Sequence, residues 1–205
     1  LNKSEKFWDR MAKYFDRAER KDEPINIKII EKTRSRLKIS DNVLDYGCGT
    51  GTVAIEIAGN VKTVHGIDIS SKMIDAAKEK TVEHEVKNID FVQTTIFDEK
   101  LKTGSFDVIL CFYLLHLVED TPKVMQRINE LLKPGGLIIS ATPCMRGTFL
   151  GVLLSPVSKI GLIPQITSFK ITELEDSIAS GYFEIVETEC LHQRSQQYFV
   201  VAKKK

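Results

Sequence analysis

The stretch Val43-Leu-Asp-Tyr-Gly-Cys-Gly-Thr-Gly51 constrains this chain more than any other part of it. A short apolar strand ends in an acid, three glycines follow at alternate positions, and a helix is predicted from Thr52. Glycine lacks a Cβ, so Gly47, Gly49 and Gly51 permit a sharp turn and a direct approach of backbone to a ligand. Strand, glycine turn and helix are how a parallel α/β sheet opens a nucleotide site at its carboxyl edge. The spacing is G-x-G-x-G; the dinucleotide fingerprint G-x-G-x-x-G places its third glycine at position 52, which here is Thr. The pattern leans away from NAD.

The order of elements supports the same reading. Phe7, Met11, Phe15 and Ala18 recur at helical period, which predicts an amphipathic helix over residues 4–18. A second helix, Ile25–Leu37, follows Pro24. Strands are expected at 42–46, 63–67, 89–93, 106–111 and 137–141, alternating with helices at 52–58 and 71–84. A further helix opens at Thr121-Pro122, and Pro134-Gly135-Gly136 is expected to end it. Thr172-Glu-Leu-Glu175 reads as a capping box for a last helix to about Ser180. Strands at 182–190 and 196–202 then have only a short polar link between them, so they must pair as a hairpin. The expected fold is α/β: a doubly wound, seven-stranded, mostly parallel sheet with an antiparallel C-terminal hairpin. Residues 1–205 read as one domain, with 1–24 as an N-terminal helical cap and 143–171 as a substrate-side insertion.

Composition removes several classes. The 29 basic and 28 acidic side chains give a net charge of +1 with no basic stripe, which argues against a nucleic acid partner. Four dispersed cysteines and four dispersed histidines have no metal-ligand spacing. The charged start Asn2–Lys6 is unlike a signal peptide. The apolar run Thr148–Pro164 is broken by Pro156 and Lys159, short of the ~20 clean residues of a membrane span. A cytoplasmic protein with reduced thiols is expected; a homodimer is compatible with the apolar insertion.

Asp68 stands 21 positions after Gly47, at the end of the second strand. An acid there can accept hydrogen bonds from a ribose diol. With Leu44-Asp-Tyr-Gly-Cys-Gly-Thr-Gly51, Gly66-Ile-Asp-Ile-Ser70 and Met73, Ser105-Phe-Asp-Val-Ile109, and Leu131-Leu-Lys-Pro-Gly-Gly136, the chain resembles the class I S-adenosylmethionine-dependent methyltransferases over nearly its whole length.

The resemblance implies S-adenosylmethionine as cofactor, with Gly47, Cys48, Gly49 and Gly51 along its methionine part and Asp45 orienting the loop. Asp68 would hold the ribose, and Ile69 would pack on the adenine with Met73 nearby. Where the family has an acid beside the adenine, this chain has Thr95, followed by the backbone N–H of Ile96. Cys111 would meet the methionine end through its backbone carbonyl, its thiol reading as a small apolar filler. An aromatic of the N-terminal helix, Tyr14 or Trp8, is expected to shield the sulfonium. No triad or carboxylate pair is seen; His116 is the one candidate general base, with a structural histidine as the plainer reading. Methyl transfer needs mainly alignment and exclusion of water, so this silence is expected. The apolar insertion points to a small hydrophobic acceptor, lipid- or quinone-like. A non-catalytic cofactor-binding module and an NAD-linked oxidoreductase are the competing readings.

Overall fold

The computed structural model describes residues 3–19, 22–146 and 166–205. Two helices, α1 (Lys3–Glu19) and α2 (Glu23–Arg34), precede the sheet. Then β1 (Asn42–Tyr46), α3 (Thr52–Ile57), β2 (Thr63–Asp68), α4 (Ser71–Glu83) and β3 (Ile89–Gln93) alternate. They are followed by β4 (Phe106–Phe112), α5 (Thr121–Leu131), β5 (Leu132–Pro143), α6 (Ile171–Ala179), β6 (Phe183–His192) and β7 (Gln197–Lys204).

The seven strands lie in the order β3-β2-β1-β4-β5-β7-β6. The first five run parallel, and β7 is antiparallel to both β5 and β6, as the hairpin predicts. The chain winds outward from β1 to one edge and returns to β4 beside it. This topological switch point opens a crevice at the carboxyl ends of β1 and β4.

Both faces of the sheet are covered, which is why the central strands are apolar almost throughout. On β4, Ile109 and Cys111 face a core completed by Val124 and Ile128 of α5 and Leu174 of α6. Val108 and Leu110 face the other core, with Ile29 of α2, Ile57 of α3 and Ala77 of α4.

Two boundaries differ from the sequence expectation. Pro134-Gly135-Gly136 does not terminate α5; the helix ends at Leu131 and the proline and glycines lie in β5. They form an irregularity, since Phe106 pairs with Leu132 but Val108 with Leu137. Proline has no N–H for a ladder, so a bulge is where a strand tolerates it. The capping box also sits two residues early: the Glu173 carboxylate accepts from Lys170 N at 2.9 Å. Glu175 instead accepts from Thr188 Oγ1 at 2.6 Å, tying α6 to β6.

Much of the 143–171 insertion, including the apolar run Thr148–Pro164, lies outside the described residues. Its flanks are pinned: Arg146 N donates to Phe169 O at 3.0 Å and Thr167 N to His116 O at 2.7 Å. Among the described residues no helix is long and apolar enough to cross a membrane, and no His, Cys, Asp and Glu cluster has metal-site geometry.

Candidate active site

The loop after β1 is braced from beneath. Gly47 N and Cys48 N both donate to Ile67 O of β2, at 2.8 and 3.1 Å. Gly47, Gly49 and Gly51 all have positive φ. At Gly49 an added Cβ would come within 3.1 Å of Phe15 Cε1, so the loop and α1 approach as closely as bare backbone permits.

Beside this loop, Asp68 ends β2. Its Oδ2 accepts from Gly49 N at 3.1 Å and its Oδ1 from Ser70 N at 2.8 Å. Burial pushes its carboxyl above the usual range, against the lowering effect of the backbone N–H groups of Ser70, Gly49 and Ile69. Ser70 caps α4, accepting from Met73 N at 3.2 Å.

A cavity of about 670 Å³ lies over the carboxyl edge at the switch point, within the size range of small-molecule sites. Asp45, Gly47, Cys48, Gly49, Asp68, Ile69, Met73 and Thr95 border it, and so does His116. Four expected site residues do not. Gly51 caps α3, and an added Cβ would strike Phe91 Cζ at 2.6 Å; its bareness serves packing. Ile96 is fully buried, and its carbonyl accepts from Arg127 Nε at 3.2 Å. Cys111 is a core side chain whose thiol burial pushes far up, with Asp45 adding to the shift. Tyr14 is 52% exposed, beneath Lys13 Nζ at 4.8 Å from its ring centre.

The aromatic side chains that reach the cavity from α1 are Phe7, Trp8 and Phe15. Phe7 and Phe15 belong to the inward stripe of the helical period, and Tyr14 is off that stripe. The sequence therefore carried the signal. Other lining residues carried none: Phe97, with Lys123 Nζ 5.0 Å over its ring, and Tyr113, whose hydroxyl donates to Asn26 Oδ1 at 2.9 Å. Tyr113 has φ +51°, a left-handed conformation that non-glycine residues adopt at a cost.

Helix α1 is fastened across the site. Asp9 Oδ1 accepts from Ser70 Oγ at 2.6 Å and from Lys72 N at 3.2 Å. Asp16 Oδ1 accepts from Thr50 Oγ1 at 2.6 Å and Lys80 Nζ at 2.7 Å. The cap thus grips the glycine loop and the helix that follows Asp68.

His116 lies in a short 3-10 turn, Leu115–Leu117, just past β4. Its Nδ1 is buried with no hydrogen-bond partner among the described residues. Burial lowers its pKa from 6.5 to about 4, so the ring is neutral at physiological pH.

These residues suit an adenosyl sulfonium: a carboxylate for a diol, bare backbone against the methionine end and apolar Ile69 and Met73 for a base. Residues 37–196 match the family described as a methyltransferase domain. A ubiquinone biosynthesis O-methyltransferase of Albidiferax ferrireducens is 30% identical over 160 residues, 76% of this chain and 63% of that protein. Its namesake from Escherichia coli O157:H7 is 32% identical over 120 residues, 58% of this chain and 49% of that protein. The chain thus spans about half to two thirds of the length of these relatives. The crystal structure of a SAM-dependent methyltransferase from Methanosarcina mazei shares the fold, with a TM-score of 0.68 at 20% identity over 82% of this chain and 94% of that one. Matched to the family across most of its length, and built on the family's seven-stranded sheet, the chain belongs to the class I S-adenosylmethionine-dependent methyltransferases.

Proposed function

We propose that this chain transfers the methyl group of S-adenosylmethionine to a small, hydrophobic, quinone-like acceptor. The observation that carries this reading is the continuity of one cavity. It runs from Asp68 and the glycine loop into space bordered by Trp8, Ile29, Ile30, Phe112 and Leu114. The names of the ubiquinone biosynthesis relatives support an apolar ring compound as acceptor.

Bound, the cofactor supplies a methyl group already activated on a positive sulfur. The chain's own work is to orient and to keep out water. Asp68 would hold the ribose hydroxyls, exchanging part of its bond to Gly49 N for them. Gly47, Cys48 and Gly49 would present backbone to the methionine part, and Ile69, Met73 and Thr95 would enclose the adenine. Phe15 and Trp8 put aromatic faces near the cationic end, where a ring quadrupole favours positive charge.

The test is incubation with methyl-tritiated cofactor and a set of alkylated phenols and quinols, beside calorimetry with S-adenosylhomocysteine and NAD. Label transfer to an apolar acceptor is expected, with S-adenosylhomocysteine the tighter ligand. Tighter NAD binding overturns the proposal. Cofactor binding with no transfer to any acceptor reduces the chain to a binding module.

A further inference from the structure

We infer that the outer face of α1 docks on an anionic lipid bilayer, from which the apolar acceptor passes into the cavity beneath the helix. The choice of a lipid surface rests on the hydrophobic acceptor proposed above; the docking itself has its own readout.

Lys3, Lys6, Arg10, Lys13 and Arg17 follow one another along α1 at intervals of three and four residues. At about 100° per residue they fall within an arc of roughly 80° and extend over roughly 21 Å. Over residues 3–17 the exposed side chains of the helix are these five and Tyr14, and no other. The acids of the same stretch turn inward. Glu5 accepts from Gln93 Nε2 at 3.1 Å, Asp9 from Ser70 Oγ and Asp16 from Lys80 Nζ. Among the described residues none of the five cations forms an ion pair. No basic run is visible in the sequence, because acids and aromatics stand between the five; the helical turn sorts them onto one side.

This stripe works against the helix that carries it. Like charges three and four residues apart repel, and Lys3 and Lys6 stand at the positive end of the helix dipole. A negatively charged surface offsets both effects. The whole chain has 29 basic and 28 acidic side chains, so without these five its formal charge is negative. Attraction to such a surface is therefore concentrated on one face and sets an orientation.

The opposite side of α1 says which polyanion it meets. There Phe7, Trp8 and Phe15 border the cavity. An apolar acceptor is scarce in water and gathers in bilayers, so a helix laid on the headgroups brings the cavity to its supply. A nucleic acid on this face would deliver nothing that an apolar cavity takes. Tyr14, half-exposed beside the stripe, suits the headgroup level, where amphipathic rings collect. No aliphatic side chain joins the outer face over residues 3–17, so the helix rests on the headgroups and does not sink into the acyl chains.

The test is co-sedimentation of the whole chain with vesicles of phosphatidylcholine, alone or mixed with phosphatidylglycerol. Binding is expected to the mixture only, and it should vanish between about 0.05 and 0.5 M NaCl as the screening length shrinks. Lys6→Gln, Arg10→Gln and Lys13→Gln together should weaken it about 100-fold, at roughly fivefold for each cation near a charged membrane. The control is the triple variant Lys38→Gln, Lys62→Gln and Lys87→Gln. It removes the same charge from exposed positions ahead of β1, β2 and β3, at the amino edge of the sheet, and should bind as wild type does. Circular dichroism should show both variants folded. Should the helix-face variant fail to fold, Lys13→Gln alone, with a loss of about fivefold, takes its place. Equal binding to the two kinds of vesicle, equal loss in the two variants, or tighter binding of a single-stranded oligonucleotide than of the mixed vesicles at the same salt overturns the inference. Methyl transfer without vesicle binding removes the docking and leaves the proposed function; vesicle binding without transfer to any acceptor does the reverse.

Discussion

Gly66→Ala tests whether the glycine loop depends on an aromatic ring beneath it. Gly66 lies in register between Asp45 of β1 and Phe91 of β3. An added Cβ would sit 2.4 and 2.5 Å from Phe91 Cδ1 and Cε1 and 3.2 Å from Cys48 Sγ. Carbon atoms pack at about 3.5–4.0 Å, so the ring has to withdraw by roughly 1 Å or more. It has little room to do so, because Phe91 is only 3% exposed and its far edge already abuts Gly51. In an open strand this change gains about 0.5–1 kcal/mol from reduced chain entropy. Overpacking costs about 1–3 kcal/mol, more where backbone on both sides is fixed. A net loss of about 1–2 kcal/mol is expected by urea denaturation, or a few °C in Tm for a chain of this size. Affinity for S-adenosylhomocysteine should fall as well, since Cys48 is pushed toward the cavity. Adding Phe91→Leu should recover about 1 kcal/mol, a coupling that two independent sites would not show. Gly59→Ala is the control, because a Cβ there meets nothing within 4 Å. A stability change in Gly66→Ala within about 0.5 kcal/mol of wild type, or strict additivity with Phe91→Leu, refutes the reasoning.

Asp68→Asn should weaken S-adenosylhomocysteine binding about 10–100-fold by calorimetry, the scale of a charged hydrogen bond, without loss of stability. The folded pKa of Asp68 lies above its ordinary 3.8, so its ionisation costs stability as pH rises past 3.8, and the variant should lose that cost. For His116 the sign is opposite in effect: a folded pKa of about 4 against 6.5 means stability falls as pH drops from 6.5 toward 4. Up to ~3 kcal/mol is at stake, and His116→Gln should flatten the urea midpoint across that window. Asp16→Ala removes the acceptor shared by Thr50 and Lys80, and should raise amide exchange in α1 and loosen cofactor binding several-fold. An unchanged exchange pattern would show that α1 is held by its apolar face alone.

The alternation of strands and helices was legible because period and punctuation agree along most of the chain. The site was legible where backbone makes it: Gly47, Gly49 and Asp68 sit where their spacing predicts. It was less legible where a side chain's direction decides. Tyr14 and Phe15 are adjacent in sequence, but only Phe15 points at the loop, since neighbours on a helix are turned by about 100°. Gly51 looked like part of the cofactor cradle, yet its neighbour is Phe91, forty positions away and invisible to local pattern. Ile96 and Cys111 were singled out for backbone groups, and their side chains lie in the core, as the filler reading of the Cys111 thiol expects. Pro134-Gly-Gly reads as a stop signal by composition, and a strand pairing set by β4 absorbs it as a bulge.

The fastening of α1 has a kinetic consequence. Its two aspartates hold the same elements that must part for an adenosyl compound to slip in or out. A ligand seated beneath the helix would have to leave past these two contacts, a step of the kind that limits turnover in many enzymes. An ion pair such as Asp16 with Lys80, partly open to solvent, then acts as a latch whose grip slackens with added salt.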